Sequence, residues 1–470
     1  MALFRTKPLL QAVLLAAGLS LGLAVARAEP QEMPPQLSDD TAEIINKSVR
    51  PAIDAKEWDK ALGVVSGVLA KAAPDSYDAA IMYQIRSQIS YQKNDYDTAL
   101  EALERCVAIN DQKHYFDAKN AQELLYQVSQ FNYQIGATNK DLKQQAAYFL
   151  KADNALQKWL VHAEPKSFTQ DTYFYISTLY FSRGQTEPGA SDQKVGRDKE
   201  SRALMEKALY WIDRGLRSAA RPRENFYQLK LAALYQLERY SDAVELLELG
   251  LKQKPEKKDY WQQLAATYLQ LATIAEEKKD PKANFAFNVR VILTIERAQR
   301  LGYMSTPKEN YNLVGLYFTI GQFARACELL ERGLETGGIE PTRPNFELLA
   351  GSYQQIHQDL KAIATLEKAA KIFAKSGQVE YQIAQVYFGI DKEKEALEHM
   401  KRCIAKGGTE KPSVGWMFYA FLANDLREFD IALKAAAEAA KFPETAKQAQ
   451  QITDAVKATI ENRENQRKKP

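Results

Sequence analysis

The chain is 470 residues long and carries 63 Lys and Arg residues against 60 Asp and Glu residues. Removal of residues 1–28 would take away Arg5, Lys7 and Arg27 and no acid, which leaves a formally neutral chain. A neutral chain lacks the broad positive field that non-specific nucleic-acid binding requires, so we do not expect a nucleic-acid partner.

The amino terminus has the order of a secretory signal peptide. Arg5 and Lys7 precede an apolar run, Leu9–Val25, which closes with Ala26, Arg27 and Ala28. A charged start, a short apolar stretch and an A-x-A site favour cleavage after Ala28 over a membrane anchor. We therefore expect an exported protein with a signal peptide at 1–28. No later segment is apolar for long enough to predict a membrane span.

Similar segments recur along the rest of the chain. Phe346, Leu349, Ala350 and Tyr353 are followed by Ala362, and the same pattern returns so that its counterpart, Ala396, lies 34 residues later. Further copies contain Trp416 and Ala420, Leu313 and Tyr317, Tyr227 and Tyr235, and Trp261 and Tyr268. These landmarks resemble the tetratricopeptide repeat family. The resemblance implies an all-α fold, a right-handed α-solenoid of about ten helix pairs with a carboxyl-terminal capping helix.

The copies differ in regularity along the chain, which predicts five segments. These are the signal peptide at 1–28, a flexible leader with three prolines at 29–36, degenerate helix pairs at 37–221, a regular array at 222–443, and a capping helix with a basic tail at 444–470. Residues 117–163 and 168–221 are expected to form longer helix pairs. A loop is predicted at Gly184–Ser191, because glycine and proline punctuate it.

The sequence shows no constellation typical of an enzyme. Cys106, Cys327 and Cys403 occupy positions where the repeat places small buried residues, so we expect inert core thiols. The four histidines are scattered and predict surface or inter-repeat positions. Gly184–Ser191 has phosphate-loop spacing, but Ala190 stands where the lysine should be. We therefore expect neither catalysis, nor a cofactor, nor a metal.

In the tetratricopeptide family, five positions of each first helix face the binding groove. Carrying these positions over gives a neutral set of amide and aromatic residues: Gln228, Tyr235, Gln236, Gln262, Gln270, Tyr311, Phe318, Gln354, Gln355, Tyr381, Gln385 and Phe388. Amides pair with an extended backbone and aromatic rings give rigid contact area, which favours a protein or peptide partner. The alternative is that these residues merely cover the inside of the solenoid. The Lys, Asn and Arg residues that clamp acidic peptide termini are absent.

The carboxyl half resembles a narrower group, the exported tetratricopeptide proteins that accompany the TonB, ExbB and ExbD energy-transduction machinery of bacterial envelopes. The strings that carry this resemblance are Arg223–Tyr227, Lys258–Leu264, Asn345–Ala350, Leu366–Ala370 and Lys406–Gly408. The resemblance implies a periplasmic scaffold with partners in the cell envelope. Alternatives are a scaffold for outer-membrane protein insertion, cell-wall synthesis or polysaccharide export, and an enzyme of unfamiliar type. The sequence leaves the oligomeric state open.

Overall fold

Every regular element is helical in the residues that the computed structural model describes, 35–186 and 199–467. The chain divides after Leu237 into two compact units. The signal peptide, most of the leader and residues 187–191 of the predicted loop lie outside the described residues. No helix among those described is both long and apolar enough to cross a membrane.

The first unit begins with two short helices that a π-helical turn, Ile45–Val49, joins into one continuous helix. Its helices are α1 Asp39–Ile44, α2 Arg50–Asp54, α3 Trp58–Leu69, α4 Tyr77–Gln92, α5 Tyr96–Lys113, α6 Ala118–Thr138, α7 Leu142–His162, α8 Gln170–Thr186, α9 Lys199–Arg217 and α10 Glu224–Gln236. The pairs α4 with α5, α6 with α7 and α8 with α9 pack as hairpins.

The second unit is built from helices of more uniform length. They are α11 Tyr240–Gln253, α12 Lys258–Glu277, α13 Pro281–Arg300, α14 Pro307–Thr319, α15 Phe323–Thr336, α16 Arg343–Gln355, α17 Asp359–Ile372, α18 Gly377–Gly389, α19 Glu393–Ala405, α20 Pro412–Asp425, α21 Phe429–Ala439 and α22 Ala446–Arg467. Helices α12 to α21 pack as five successive hairpins, and α22 packs on α20 and α21.

The five hairpins of the second unit turn in the same way. In each, the second residue after the first helix has positive φ: Lys279, Gly321, His357, Asp391 and Arg427. Only Gly321 adopts this backbone conformation without steric cost, because the other four residues carry a Cβ. The repeated turn shows that each pair is one structural unit repeated along the chain.

Small side chains lie where the sequence predicts close helix contacts. Ala362, Ala396, Cys327 and Cys403 are all buried, and so is Cys106 in the first unit. The three cysteines are free thiols. Burial raises the pKa of Cys106 to about 12 and that of Cys403, which also lies near Glu380, to about 11. The prediction of inert core thiols agrees with this placement.

The predicted all-α array of helix pairs with a carboxyl-terminal capping helix is confirmed in the described residues. The count of about ten pairs and the handedness remain predictions. One local prediction is wrong: Gly184 does not begin a loop but lies buried within α8. A Cβ at this position would meet the Met205 side chain at 2.9 Å and the Ser201 carbonyl oxygen at 3.2 Å. The glycine thus allows α8 and α9 to approach closely.

Candidate protein-binding surface

The first helices of the five second-unit hairpins, α12, α14, α16, α18 and α20, share one repeat register and carry most of the predicted binding residues. Side-chain contacts join neighbouring first helices at two seams. The Gln262 Nε2 atom donates to Glu309 Oε1 at 3.2 Å between α12 and α14. The Phe388 ring centroid lies 5.5 Å from that of Phe418 between α18 and α20. We call the exposed side chains of these five helices the first-helix surface.

The predicted residues differ in accessibility. Those that are exposed are Gln228, Gln262, Gln270, Tyr311, Gln354, Gln355 and Gln385, and those that are half-buried are Tyr235, Gln236, Phe318 and Phe388. Gln228, Tyr235 and Gln236 belong to the first unit, so the structure groups only the other nine residues within one unit. Tyr381 is buried, with 9% of its surface exposed.

Tyr381 departs from the expected role of an accessible contact. Its ring meets Phe418 edge-on, with 5.8 Å between centroids, and belongs to the core between α18 and α20. Its hydroxyl oxygen accepts a hydrogen bond from Gln385 Nε2 at 2.9 Å. Burial raises the pKa of Tyr381, so the hydroxyl stays protonated. Tyr381 therefore supports Gln385, whose exposed side chain is the part that a partner can reach.

Three exposed apolar residues on the same helices were not predicted. Leu269, Val414 and Phe421 are 47%, 44% and 43% exposed, close to the 41% of Tyr311. Leu269 holds the same repeat position as Phe318 and Phe388, and Phe421 holds that of Gln385. The register alone could have found them, since it marks positions and not residue types.

Phe421 stands at the edge of an aromatic cluster. The Phe388 centroid lies 5.7 Å from that of Phe421 and 5.5 Å from that of Phe418, with each pair near perpendicular. Edge-to-face packing of this kind stabilises rings beyond the area that they bury. The cluster gives Phe421 a fixed base, and a rigid exposed ring loses little entropy when a partner covers it.

A second row of contacts holds the hairpins together. Tyr268, Tyr317 and Tyr353 each donate from the hydroxyl to a glutamate of the helix before their own: Glu248 of α11 at 2.6 Å, Glu296 of α13 at 2.7 Å and Glu331 of α15 at 2.8 Å. Burial, followed by the bonded carboxylate, raises the pKa of each tyrosine. These bonds between hairpins set the spacing of the first helices.

The corresponding tyrosine of the next pair, Tyr387, instead stacks on His399 with 5.4 Å between ring centroids. His399 is buried, which corrects the prediction of a surface or inter-repeat histidine. Its Nδ1–H donates to Glu380 Oε2 at 2.7 Å, and Lys406 Nζ lies 2.6 Å from Glu380 Oε1. Glu380 and Lys406 lie in the same hairpin as His399. The sequence periodicity, which relates successive hairpins, therefore could not predict this contact.

Glu380 is nearly fully buried, and hydrogen bonds from its neighbours stabilise the ionised form of its carboxyl group. Burial alone would raise its pKa, but the hydrogen bonds from Lys406 and His399 outweigh it, and the pKa is lowered. This arrangement ties α18 to the end of α19. No group of three or more His, Cys, Asp or Glu side chains within 35–186 and 199–467 is placed to hold a metal ion.

No family profile and no curated protein sequence matches the chain. Solved structures that match include MamA, with 17% identity over 39% of this chain and 94% of that chain, and a TM-score of 0.29. Cut9–Hcn1 of the APC/C matches with 13% identity over 89% and 92%, and a TM-score of 0.26. The TPR2AB domain of yeast Sti1, in a pHSP90 complex, matches with 12% identity over 61% and 98%, and a TM-score of 0.25. Likenesses this distant carry no argument about function.

Proposed function

We propose that this protein is a non-enzymatic scaffold that binds an extended segment of another protein on the first-helix surface. The observation that carries this proposal is the exposure of Leu269, Tyr311 and Phe421 on helices that also present a series of amides. Each of these three side chains holds one of the repeat positions that face the binding groove in the tetratricopeptide family. The amides Gln262, Gln354 and Gln385 are exposed on α12, α16 and α18 of the same surface.

The two kinds of side chain suit different parts of a peptide. A glutamine offers both a donor and an acceptor, so it can pair with backbone N–H and C=O groups of any sequence. Apolar anchors in contact with partner side chains then supply most of the binding free energy. Because the predicted set contains no charged residue, we expect the bound segment to be recognised by shape and backbone more than by charge.

A triple variant tests this proposal. Leu269→Ser, Tyr311→Ser and Phe421→Ser together should abolish capture of the partner and cost about 1 kcal/mol of unfolding free energy at each site. The matched control is Leu249→Ser, Leu360→Ser and Ile372→Ser, because these residues lie on α11 and α17, outside the first-helix surface, and are at least as exposed. The control should bind normally. Loss of binding in the control alone would refute the proposal.

We further propose that the protein works in the bacterial periplasm beside a TonB-type energy-transduction system. Two sequence features support this proposal: the signal-like order of residues 1–28 and the strings from Arg223–Tyr227 to Lys406–Gly408. The exported chain should begin at Glu29, which mass spectrometry of the mature protein would show. Tagged protein from envelope extracts should co-purify TonB, ExbB or ExbD. Retention of Met1 would contradict export, and normal export without these proteins would contradict only the narrower role.

A further inference from the structure

Helix α13 presents a face that differs chemically from the first-helix surface. Lys282, Arg290, Arg297 and Arg300 are all exposed, and Glu296 is the only acidic residue in Pro281–Arg300. Phe285 and Leu293 are each about half exposed beside these cations. The α13 face, defined by these four cations with Phe285 and Leu293, is therefore both basic and apolar.

The spacing places these side chains on one side of the helix. Lys282, Arg290, Leu293, Arg297 and Arg300 follow one another at helical intervals, with Phe285 at the edge of the arc. The opposite side is buried, since Val291, Ile292, Ile295 and Ala298 all lie in the core. A helix of 20 residues is about 30 Å long, so the α13 face is long enough to contact several turns of a partner helix.

Two of the arginines are oriented by aromatic rings of α12. The Arg290 guanidinium lies 5.7 Å from the Tyr268 ring centroid, and that of Arg297 lies 5.5 Å from the Trp261 centroid. The Arg290 guanidinium also donates from Nη1 to the Tyr268 hydroxyl at 3.3 Å. The remaining N–H groups of the two guanidinium groups can donate to a carboxylate. The two rings thus hold these arginine side chains in position before any carboxylate binds.

The single carboxylate of α13 does not neutralise this face. Glu296 Oε1 accepts the hydrogen bond from the Tyr317 hydroxyl at 2.7 Å and lies 3.8 Å from Arg325 Nη2, so it is directed towards the next hairpin.

The neighbouring second helices have the opposite balance of charge. Helix α11 carries Asp242, Glu245 and Glu248 against Lys252, and α15 carries three glutamates against two arginines. The positive charge is therefore local to α13.

We infer that the α13 face is a second docking surface, which binds an acidic amphipathic helix of a partner protein. The carboxylates of such a helix would pair with the α13 cations, while its apolar residues would cover Phe285 and Leu293. This surface lies on α13 alone and does not depend on the first-helix surface. A scaffold with both surfaces could hold two segments at once.

The test uses the full chain and a labelled 20-residue helical peptide in which Glu and Leu alternate at helical spacing. Fluorescence anisotropy should show binding that weakens as salt rises from about 0.05 M to about 0.5 M. The variant Lys282→Glu with Arg300→Glu should weaken binding about tenfold or more, because like charges now face each other. Leu293→Ser should also weaken it, with little change in the helical circular dichroism signal.

Two controls separate this inference from general charge attraction. The same peptide with Lys in place of Glu should not bind, and Lys371→Glu with Lys375→Glu, at exposed positions in and after α17, should leave the affinity unchanged. Equal binding of both peptides, or an equal loss in the α17 control, would overturn the inference. So would binding to phosphatidylglycerol vesicles that depends on Lys282 and Arg300 without any binding of the acidic peptide, since the face would then recognise lipid.

Discussion

The two units use aromatic residues of their first helices in different ways. In the first unit, Tyr126 and Tyr133 of α6 lie with ring centroids 5.5 Å and 5.7 Å from Tyr175 of α8. The hydroxyl of Tyr175 is 2.6 Å from Ser129 Oγ, so even its polar end is used within the unit. In the second unit, Tyr311 and Phe421 of the corresponding helices are exposed. An aromatic residue on a first helix can thus contact a partner only where neighbouring helices leave it uncovered.

The first unit also buries charge where the second mostly leaves it at the surface. Asp153 of α7 pairs with Arg183 of α8, and both side chains are nearly inaccessible. The Tyr180 hydroxyl donates to Asp153 at 3.1 Å, and Gln157 Nε2 donates to it at 3.0 Å. A buried network of this kind specifies one arrangement of its helices. We therefore expect the first unit to depend on a few polar residues and the second on its repeated contacts.

The largest effect should come from breaking the Asp153 network. Asp153→Ala removes the carboxylate that faces buried Arg183 and should cost about 3–5 kcal/mol of unfolding free energy. Urea unfolding followed by circular dichroism measures it. The control Asp242→Ala removes a second-unit ion pair with Arg239 in which both side chains are 42% exposed, and it should cost about 1 kcal/mol or less. Equal costs for the two changes would erase this difference between the units.

A smaller, pH-dependent effect should come from Glu380, the buried carboxylate of the second unit. Its pKa in the folded protein is below the ordinary 4.5, so its ionised form stabilises the fold at neutral pH. This contribution should persist above about pH 4.5 and be lost as the pH falls through the folded-state pKa. Glu380→Gln should cost about 1.5–3 kcal/mol at pH 7 and much less at low pH, because charged hydrogen bonds are removed. A cost independent of pH would show that the ionised carboxylate of Glu380 does not stabilise the folded protein.

The smallest effects should come from the tyrosine–glutamate bonds between hairpins. Tyr268→Phe, Tyr317→Phe and Tyr353→Phe each delete one hydroxyl donor and should cost about 1 kcal/mol. Tyr387→Phe is the matched control, because Tyr387 stacks on His399 in the place of a glutamate contact. It should cost less than the other three. A uniform cost across all four variants would mean that these hydrogen bonds do not distinguish the hairpins.

Much of the fold could be predicted because its determinants are local. The small residues at Ala362 and Ala396 and the helix pair at 117–163 depend on positions within one helix pair. Helices α6 Ala118–Thr138 and α7 Leu142–His162 accordingly lie where the pattern of 117–163 indicated. The loop prediction at Gly184 is wrong because glycine occurs both in turns and at close helix contacts. Only the position of Met205 distinguishes the two cases.

The candidate site was harder to predict because accessibility is a tertiary property. The repeat register places Tyr381 and Tyr311 at equivalent positions, yet Phe418 of the following hairpin covers the ring of Tyr381. The burial of His399 likewise depends on Glu380, which lies 19 residues away on the neighbouring helix. Phe421 lies on α20, whereas the residues predicted from the family positions end at Phe388 of α18.

Site-specific photo-crosslinking tests the central claim most directly, because it reports contact without removing any native anchor from the other positions. Benzoylphenylalanine would replace Tyr311 or Phe421 on the first-helix surface, and Leu360 or Ile372 on α17 as controls. Irradiation of cells that express each variant should join one and the same partner to positions 311 and 421 and leave positions 360 and 372 without that product. A partner joined at 360 and 372 but not at 311 and 421 would contradict the assignment of binding to the first-helix surface.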